Sequence, residues 1–182
     1  MKHLTQAHDL WKQHLKEGDF ALDLTCGNGH DTLVLATLLP KGIVFGIDLQ
    51  KEAIAATQER VKGFSNVELF QLSHPALPSL PRSPQLAVYN LGYLPGGDKQ
   101  ITTMATTTVQ SLDVVAKILS DQGAISITCY PGHEAGAVEE EAVLSWAASL
   151  PSHLWSVCHY RWLNRLKSPS LIWITRGLMS LR

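Results

Sequence analysis

The 182-residue sequence is poor in cysteine: Cys26, Cys129 and Cys158 are an odd number, widely spaced and without a CxxC pair. That excludes a disulfide frame and a zinc knot, and it predicts reduced thiols in a cytoplasmic protein with no bound metal. No apolar run approaches the ~20 residues of a membrane span, so no membrane association is expected. The stretch Met1 to Gln6 reads as too polar to open a signal peptide. Net charge is nearly absent: 15 Lys and Arg against 16 Asp and Glu leave −1. The whole chain is therefore not a generic polyanion binder. Disorder is excluded by 45% apolar and 17% charged residues. The length suits one compact domain, 1–182, and is short for two.

Acid is missing from residues 142–182, where Arg161, Arg165, Lys167, Arg176 and Arg182 supply five positive charges. The first 141 residues then carry a net −6. Four of the five tryptophans, Trp146, Trp155, Trp162 and Trp173, fall in the same basic stretch. Such an end could pair with phosphates and stack on bases. The plainer reading puts the tryptophans in core strands and the basic residues in solvent; it is preferred for the tryptophans, while both readings stay open for Arg161, Arg165 and Lys167.

Helices and strands alternate along the chain. Leu4, His8, Trp11 and Leu15 share one face of a helix over 4–16. Strands are predicted at 20–24, 43–48, 67–71, 86–89 and 124–129, with helices at 31–39, 51–62, 103–119 and 134–149. The run 43–48 is continuously apolar up to Asp48, as in parallel strands covered on both faces. Glu139, Glu140 and Glu141 are placed near the start of the last helix, where its dipole favours acids. Residues 73–84 form a loop with four prolines, and two final strands lie near 154–162 and 171–175. Five βα units followed by two strands predict an α/β sheet wound on both faces. Ligands bind such sheets outside the carboxyl ends of the strands, where strand order reverses.

The candidate site residues fall at those ends. Asp23-Leu24-Thr25-Cys26-Gly27-Asn28-Gly29 is a strand, a glycine turn and a helix start. Thr32 stands where a dinucleotide fingerprint has its third glycine, and no Gly-Lys-Ser/Thr follows as in a phosphate-binding loop. A smaller ligand than a dinucleotide fits better. Asp48, 25 residues after Asp23, can accept bonds from both ribose hydroxyls of an adenosine, with Gln50 just beyond. Ser73 and His74 follow the third strand, where an adenine edge would lie; His74 reads equally well as a structural loop histidine. Asp31 either holds a ligand group or caps backbone N–H groups. Together these residues describe an adenosine site without a pyrophosphate clamp, which suits S-adenosylmethionine.

Asn90-Leu91-Gly92-Tyr93 follows the fourth strand and echoes the Asn/Asp-Pro-Pro-Tyr loop of amino-group methyltransferases. An amide carbonyl there can accept an amine's N–H and aim its lone pair, while Tyr93 stacks on a planar base. Asp98 and His133 are candidate proton acceptors. Tyr130 and His133 lie on the same rim, and His133 could equally cap the following helix. Lys99 either pairs with an RNA phosphate or faces solvent.

Taken together, Asp23 to Thr32, Asp48-Leu-Gln50, Ser73-His74, Asn90 to Lys99 and Tyr130-Pro-Gly-His133 resemble the rRNA methylase family. Its members are associated with methylation of 5-aminomethyl(-2-thio)uridine at the tRNA wobble position (MnmM-type enzymes). The resemblance runs from about residue 5 to 175, and the Asn90–Lys99 block is its most specific element. It implies a Rossmann-like class I methyltransferase fold, a seven-stranded, mostly parallel sheet with helices on both faces. It implies S-adenosylmethionine as donor and the anticodon stem-loop of tRNA as partner. Asn28, Gly29, Asp31, Asp48, Gln50, Ser73 and His74 would bind the cofactor. Asn90 and Tyr93 would be catalytic; Gly92, Lys99, Tyr130, His133, Arg161 and Arg165 would meet substrate. Thr25 departs from the broader glycine motif, which has Gly there. A homodimer would enlarge the basic patch. The alternatives are an rRNA or small-molecule amine acceptor, a non-catalytic binding module and, more weakly, a NAD-dependent oxidoreductase.

Overall fold

A computed structural model of the chain describes residues 2–92, 104–165 and 167–177. The chain order is α1 (Lys2–His14), β1 (Phe20–Asp23), α2 (His30–Leu38), β2 (Ile43–Asp48), α3 (Lys51–Arg60) and β3 (Val67–Gln71). It continues with β4 (Leu86–Asn90), α4 (Ala105–Ile118), β5 (Ala124–Cys129), α5 (Glu134–Ser149), β6 (Trp155–Tyr160) and β7 (Ser170–Arg176). The strands form one sheet in the order β3-β2-β1-β4-β5-β7-β6. All neighbours are parallel except β7, which runs antiparallel to both β5 and β6. Strand order reverses between β1 and β4, whose parallel register pairs Asp23 with Val88. This is the crevice where a ligand is expected.

The central strands are apolar throughout because both faces are covered: every residue of β1 and β5 is buried. On one face Ala7 and Trp11 of α1 and Leu35, Ala36 and Leu39 in and after α2 pack on Ala21, Val44 and Val88. Trp11 is 1% exposed and its indole N–H donates to Ser126 Oγ at 2.9 Å, fixing α1 across β5. Burying an indole of that size contributes roughly 3 kcal/mol. On the other face Leu112, Val115 and Leu119 of the α4 region meet Val143, Trp146 and Ala147 of α5 over Ile125 and Ile127.

Two sequence expectations are corrected here. Only four of the first five strands lead into a helix. After β3 the chain crosses to β4 without one, because Pro75, Pro78, Pro81 and Pro84 remove the N–H groups a helix needs. Leu77 and Leu80 of that crossing still cover the sheet face beside α4. Glu139, Glu140 and Glu141 do not serve the dipole of α5 either, since the helix begins at Glu134 and the effect fades within one turn. Glu139 is buried and accepts from Thr108 Oγ1 at 2.7 Å, and Glu140 accepts from the Ser170 hydroxyl. They tie α5 to α4 and to β7.

The tryptophans divide. Trp146 and Trp173 are buried and Trp155 is half-buried, as core strands and helices require, but Trp162 is 41% exposed. Arg176 is also structural: its guanidinium donates to the Leu119 carbonyl at 2.8 Å and lies over the Trp155 ring. Among the described residues no helix is long and apolar enough to cross a membrane.

Candidate active site

The turn after β1 is built for close approach. Gly27 and Gly29 have φ of +51° and +76°, a conformation that side chains rarely tolerate. A Cβ on Gly29 would also stand 2.8 Å from Thr57 Cα on α3. Gly29 N donates to the Cys26 carbonyl at 2.7 Å, and Thr57 Oγ1 donates to the Gly27 carbonyl at 3.0 Å. The Asn28 carbonyl accepts from Arg60 Nε at 2.5 Å. Threonine in place of the first glycine has a use: Thr25 Oγ1 accepts from Asn90 N at 2.7 Å, stitching the end of β1 to the end of β4.

Asp48 ends β2 beside this turn. Its two carboxylate oxygens accept from Gly27 N and from Gln50 N, each at 2.9 Å. Every carboxylate oxygen has a second lone pair, so the group can hold the turn and still accept from a ligand. Ser73 and His74 follow β3 as expected. Burial holds the His74 imidazole down at about 4, so it is neutral. Its ring stands edge-on to Tyr89, and its buried Nδ1 has no hydrogen-bond partner among the described residues. An unsatisfied buried nitrogen, a shaped glycine turn and a carboxylate with spare lone pairs form a donor and acceptor set that fits an adenosine.

The candidate acceptor side joins three elements that sequence reading treated separately. Asn90, at the end of β4, donates from its side-chain nitrogen to Asp31 Oδ2 at 3.0 Å. Asp31 lies in the first turn of α2 and is buried. Its other oxygen, Oδ1, accepts from His8 Nε2 of α1 at 2.8 Å. Asn90 is also hydrogen-bonded to Tyr130, whose phenol burial pushes up to about 12, with the Asp31 charge adding to the effect. His3 Nε2 is 3.4 Å from the Tyr130 hydroxyl. Asp31 thus faces the amide of Asn90 as well as the helix start. His3 and His8 are functional candidates that sequence reasoning missed; the only signal was the position of His8 on the inner face of α1.

Beneath this cluster Asp23 is fully buried. Burial, with the Asp31 and Asp48 charges nearby, pushes its carboxyl up to about 7, despite bonds from Thr32 Oγ1 at 2.6 Å and Thr25 N. A raised acid favours folding fully below its ordinary value of 3.8, and that contribution is lost as pH climbs to about 7. Asp23→Asn is therefore expected to gain stability relative to the parent between those limits. Parallel urea titrations should show the gap widening with pH, by on the order of 3 kcal/mol. Burial also pushes the Cys26 and Cys129 thiols up, so neither is a nucleophile at neutral pH.

The remaining predicted residues that the structure describes lie around the rim. Gly92 has φ of +129°, and a Cβ there would touch the Tyr130 ring at 3.8 Å. His133 caps α5, its Nδ1 accepting from Gly136 N at 3.1 Å. Tyr93, Asp98 and Lys99 lie outside the described residues. Arg161 and Arg165 are exposed on the turn between β6 and β7. A cleft of about 140 Å³ is lined by His3, Gln6, Tyr160, Arg161, Trp162 and Leu171. The ring of His3 meets that of Tyr130 edge-on, so the cleft adjoins the Asn90 corner. The basic turn reaches the same rim, since a Cβ on Gly132 would stand 3.5 Å from the Lys167 carbonyl. Among the described residues no group of His, Cys, Asp and Glu is arranged to hold a metal ion.

Comparison with known proteins bears directly on this geometry. Residues 44–176 match the family described as "Putative rRNA methylase". Over 183 aligned residues, 92% of this chain and 67% of the relative, the sequence is 36% identical to the chloroplastic tRNA (mnm(5)s(2)U34)-methyltransferase of Arabidopsis thaliana. The crystal structure of a Clostridium thermocellum protein described as a "putative rRNA-methylase" superposes with a TM-score of 0.92 at 34% identity, covering 96% of this chain and 97% of that one. A Streptococcus mutans methyltransferase in complex with S-adenosylhomocysteine (SAH) superposes with a TM-score of 0.88 at 28% identity, over 97% and 98%. The chain belongs to the rRNA methylase family and is a class I, S-adenosylmethionine-dependent methyltransferase.

Proposed function

We propose that the chain works as a single methyltransferase domain that methylates the amine of 5-aminomethyl(-2-thio)uridine at the tRNA wobble position, giving the 5-methylaminomethyl product. The observation that carries this reading is the Asn90 side chain, whose nitrogen is held by an acceptor-only carboxylate. The opposite end of that amide is its carbonyl oxygen, a group that can accept an amine N–H at the mouth of the crevice. The Arabidopsis relative, named for a wobble-uridine methyltransferase, supports tRNA as the acceptor.

When bound, S-adenosylmethionine supplies a methyl on a sulfonium, open to in-line attack. Asp48 accepts its ribose hydroxyls, while Ser73 and the neutral His74 meet the adenine edge. The Gly27–Gly29 turn, with Asn28 and Gln50, closes on the rest of the nucleoside. Asn90 would accept one N–H of the neutral substrate amine and turn its lone pair toward the methyl. As the N–C bond forms the S–C bond breaks with its electrons left on sulfur, SAH departs, and the new ammonium gives its extra proton to water. Orienting two reactants in this way replaces a bimolecular encounter and accounts for much of the rate. Tyr93 stacks on the base; Gly92 and Tyr130 shape its seat. No buried thiol or covalent intermediate is required.

The anticodon stem-loop sits across the exposed Arg161, Arg165, Tyr160 and Trp162, with the exposed His133 beside them, and Lys99 pairs with a phosphate. A homodimer would widen this surface. Three free cysteines without a disulfide among the described residues support a cytoplasmic location for the reaction. Replacing Arg161 and Arg165 together by alanine is expected to raise KM for tRNA about tenfold near 0.1 M salt. The salt dependence should flatten by roughly two phosphate contacts, with kcat and SAH affinity unchanged. An unchanged KM would remove this turn from the RNA contact.

Acceptor competition tests the function itself. Labelled methyl should pass to tRNA carrying 5-aminomethyluridine in preference to rRNA or a free amine. Preference for rRNA, the alternative that the family's description favours, would overturn the substrate assignment and leave the donor intact. A non-catalytic scaffold would have no use for an amide held by a buried carboxylate.

A further inference from the structure

The hydrogen-bonded line His8–Asp31–Asn90 runs from the outer helix to the acceptor site. A terminal amide can turn over, exchanging its oxygen and its nitrogen. If Asn90 turned, its N–H would face the substrate nitrogen and tie up the lone pair that must attack. Asp31 prevents this, because an ionised carboxylate only accepts and so selects the nitrogen end of the amide. Asp31 itself sits on two rotatable bonds and is held from its other oxygen by His8 at 2.8 Å. His8 in turn is packed against the Trp11 ring, with centroids 4.7 Å apart. Trp11 is buried and bonded to Ser126 of β5. The chain of support thus ends in the core, not on a mobile surface.

We propose that His8 is a positioning residue for methyl transfer, acting through Asp31 to fix which end of the Asn90 amide meets the acceptor. The inference rests on the amine-methylation reading above. His8 touches no reacting atom in this scheme. Its contribution is to the rate of the chemical step and not to the affinity for either substrate.

His8→Ala is expected to lower kcat for tRNA carrying 5-aminomethyluridine by about 30-fold, the scale of a small misplacement at the reacting centre. KM for tRNA and the Kd for SAH by calorimetry should stay within about twofold. His8→Gln, whose amide nitrogen can still donate to Asp31, should recover most of the rate. A merely structural role would move stability and not show this split or this rescue. A second readout needs no acceptor. The Asn90 side-chain amide signal, assigned by its disappearance in Asn90→Ala, should exchange with solvent about tenfold faster in His8→Ala. Unchanged kcat in His8→Ala, or a loss that His8→Gln fails to recover, would overturn the proposal. If the parent protein itself transfers no methyl to this tRNA, the functional reading falls. The Asn90 exchange rates in the SAH complex then decide the role of His8, with equal rates overturning it.

Discussion

Asn90→Ala should cost about 10²- to 10³-fold in kcat, or about 3–4 kcal/mol of transition-state stabilisation, while SAH binds within about threefold of the parent. The separation follows from position. Asn90 closes β4, on the acceptor side of the switch point, and its backbone N–H is held by Thr25 whatever its side chain is. Alanine therefore leaves the strand end in place and removes only the amide. Asp31 keeps its His8 partner in the variant, so the start of α2 is undisturbed. Asn90→Asp should be no better. It sets a carboxylate against the buried Asp31, where like charges at hydrogen-bond distance disfavour each other. Single-turnover rates with calorimetry on the same preparations check both variants. A loss of SAH binding equal to the loss of rate would place Asn90 in the cofactor pocket instead.

Asp48→Ala should fail in the opposite way, weakening SAH affinity by about 100-fold with a smaller effect on kcat at saturating donor. Hydrogen bonds to a charged acceptor are worth roughly 1.5–3 kcal/mol each, and two ribose hydroxyls are lost at once. The carboxylate has a second duty, since it accepts from Gly27 N and Gln50 N. Its removal loosens the glycine turn proposed to meet the nucleoside. Asp48→Asn keeps one oxygen and should fall between, near tenfold. Equal affinity in all three proteins would show that Asp48 serves the turn alone.

These two residues differ in how readable they are from sequence. Asp48 is legible because a strand of continuous apolar residues ends on it, a local pattern that topology then places at the crevice. Asn90 is legible as a side chain at a strand end followed by Leu91, Gly92 and Tyr93. Its partner is not. Asp31 lies 59 residues from Asn90, and His8 another 23 before that. No local period encodes a hydrogen bond between a helix start and a strand end. The same limit hides Thr25: read as a missing glycine, it proves to be the acceptor that joins β1 to β4.

Elsewhere local pattern sufficed or misled for identifiable reasons. Strand positions follow from short apolar runs between turn residues, and the seven strands lie where those runs fall. The crossing after β3 carries four prolines, which outweigh the habit of α/β folds of placing a helix there. Glu139 and Glu140 read as acids near a helix start, but tertiary partners on α4 and β7 bury the first and half-bury the second. Trp162 reads as core with its neighbours, yet it follows the end of β6 on an exposed turn beside Arg161.

Whether a nitrogen on the wobble base receives the methyl is most directly answered by mass. Purified protein, a donor with a deuterated methyl group and tRNA carrying 5-aminomethyl-2-thiouridine are incubated, and the RNA is digested to nucleosides. The label should appear in 5-methylaminomethyl-2-thiouridine, and Asn90→Ala should abolish most of it. Label on a ring carbon, on a ribose oxygen or on any other nucleoside would contradict the amine-aiming role assigned to Asn90.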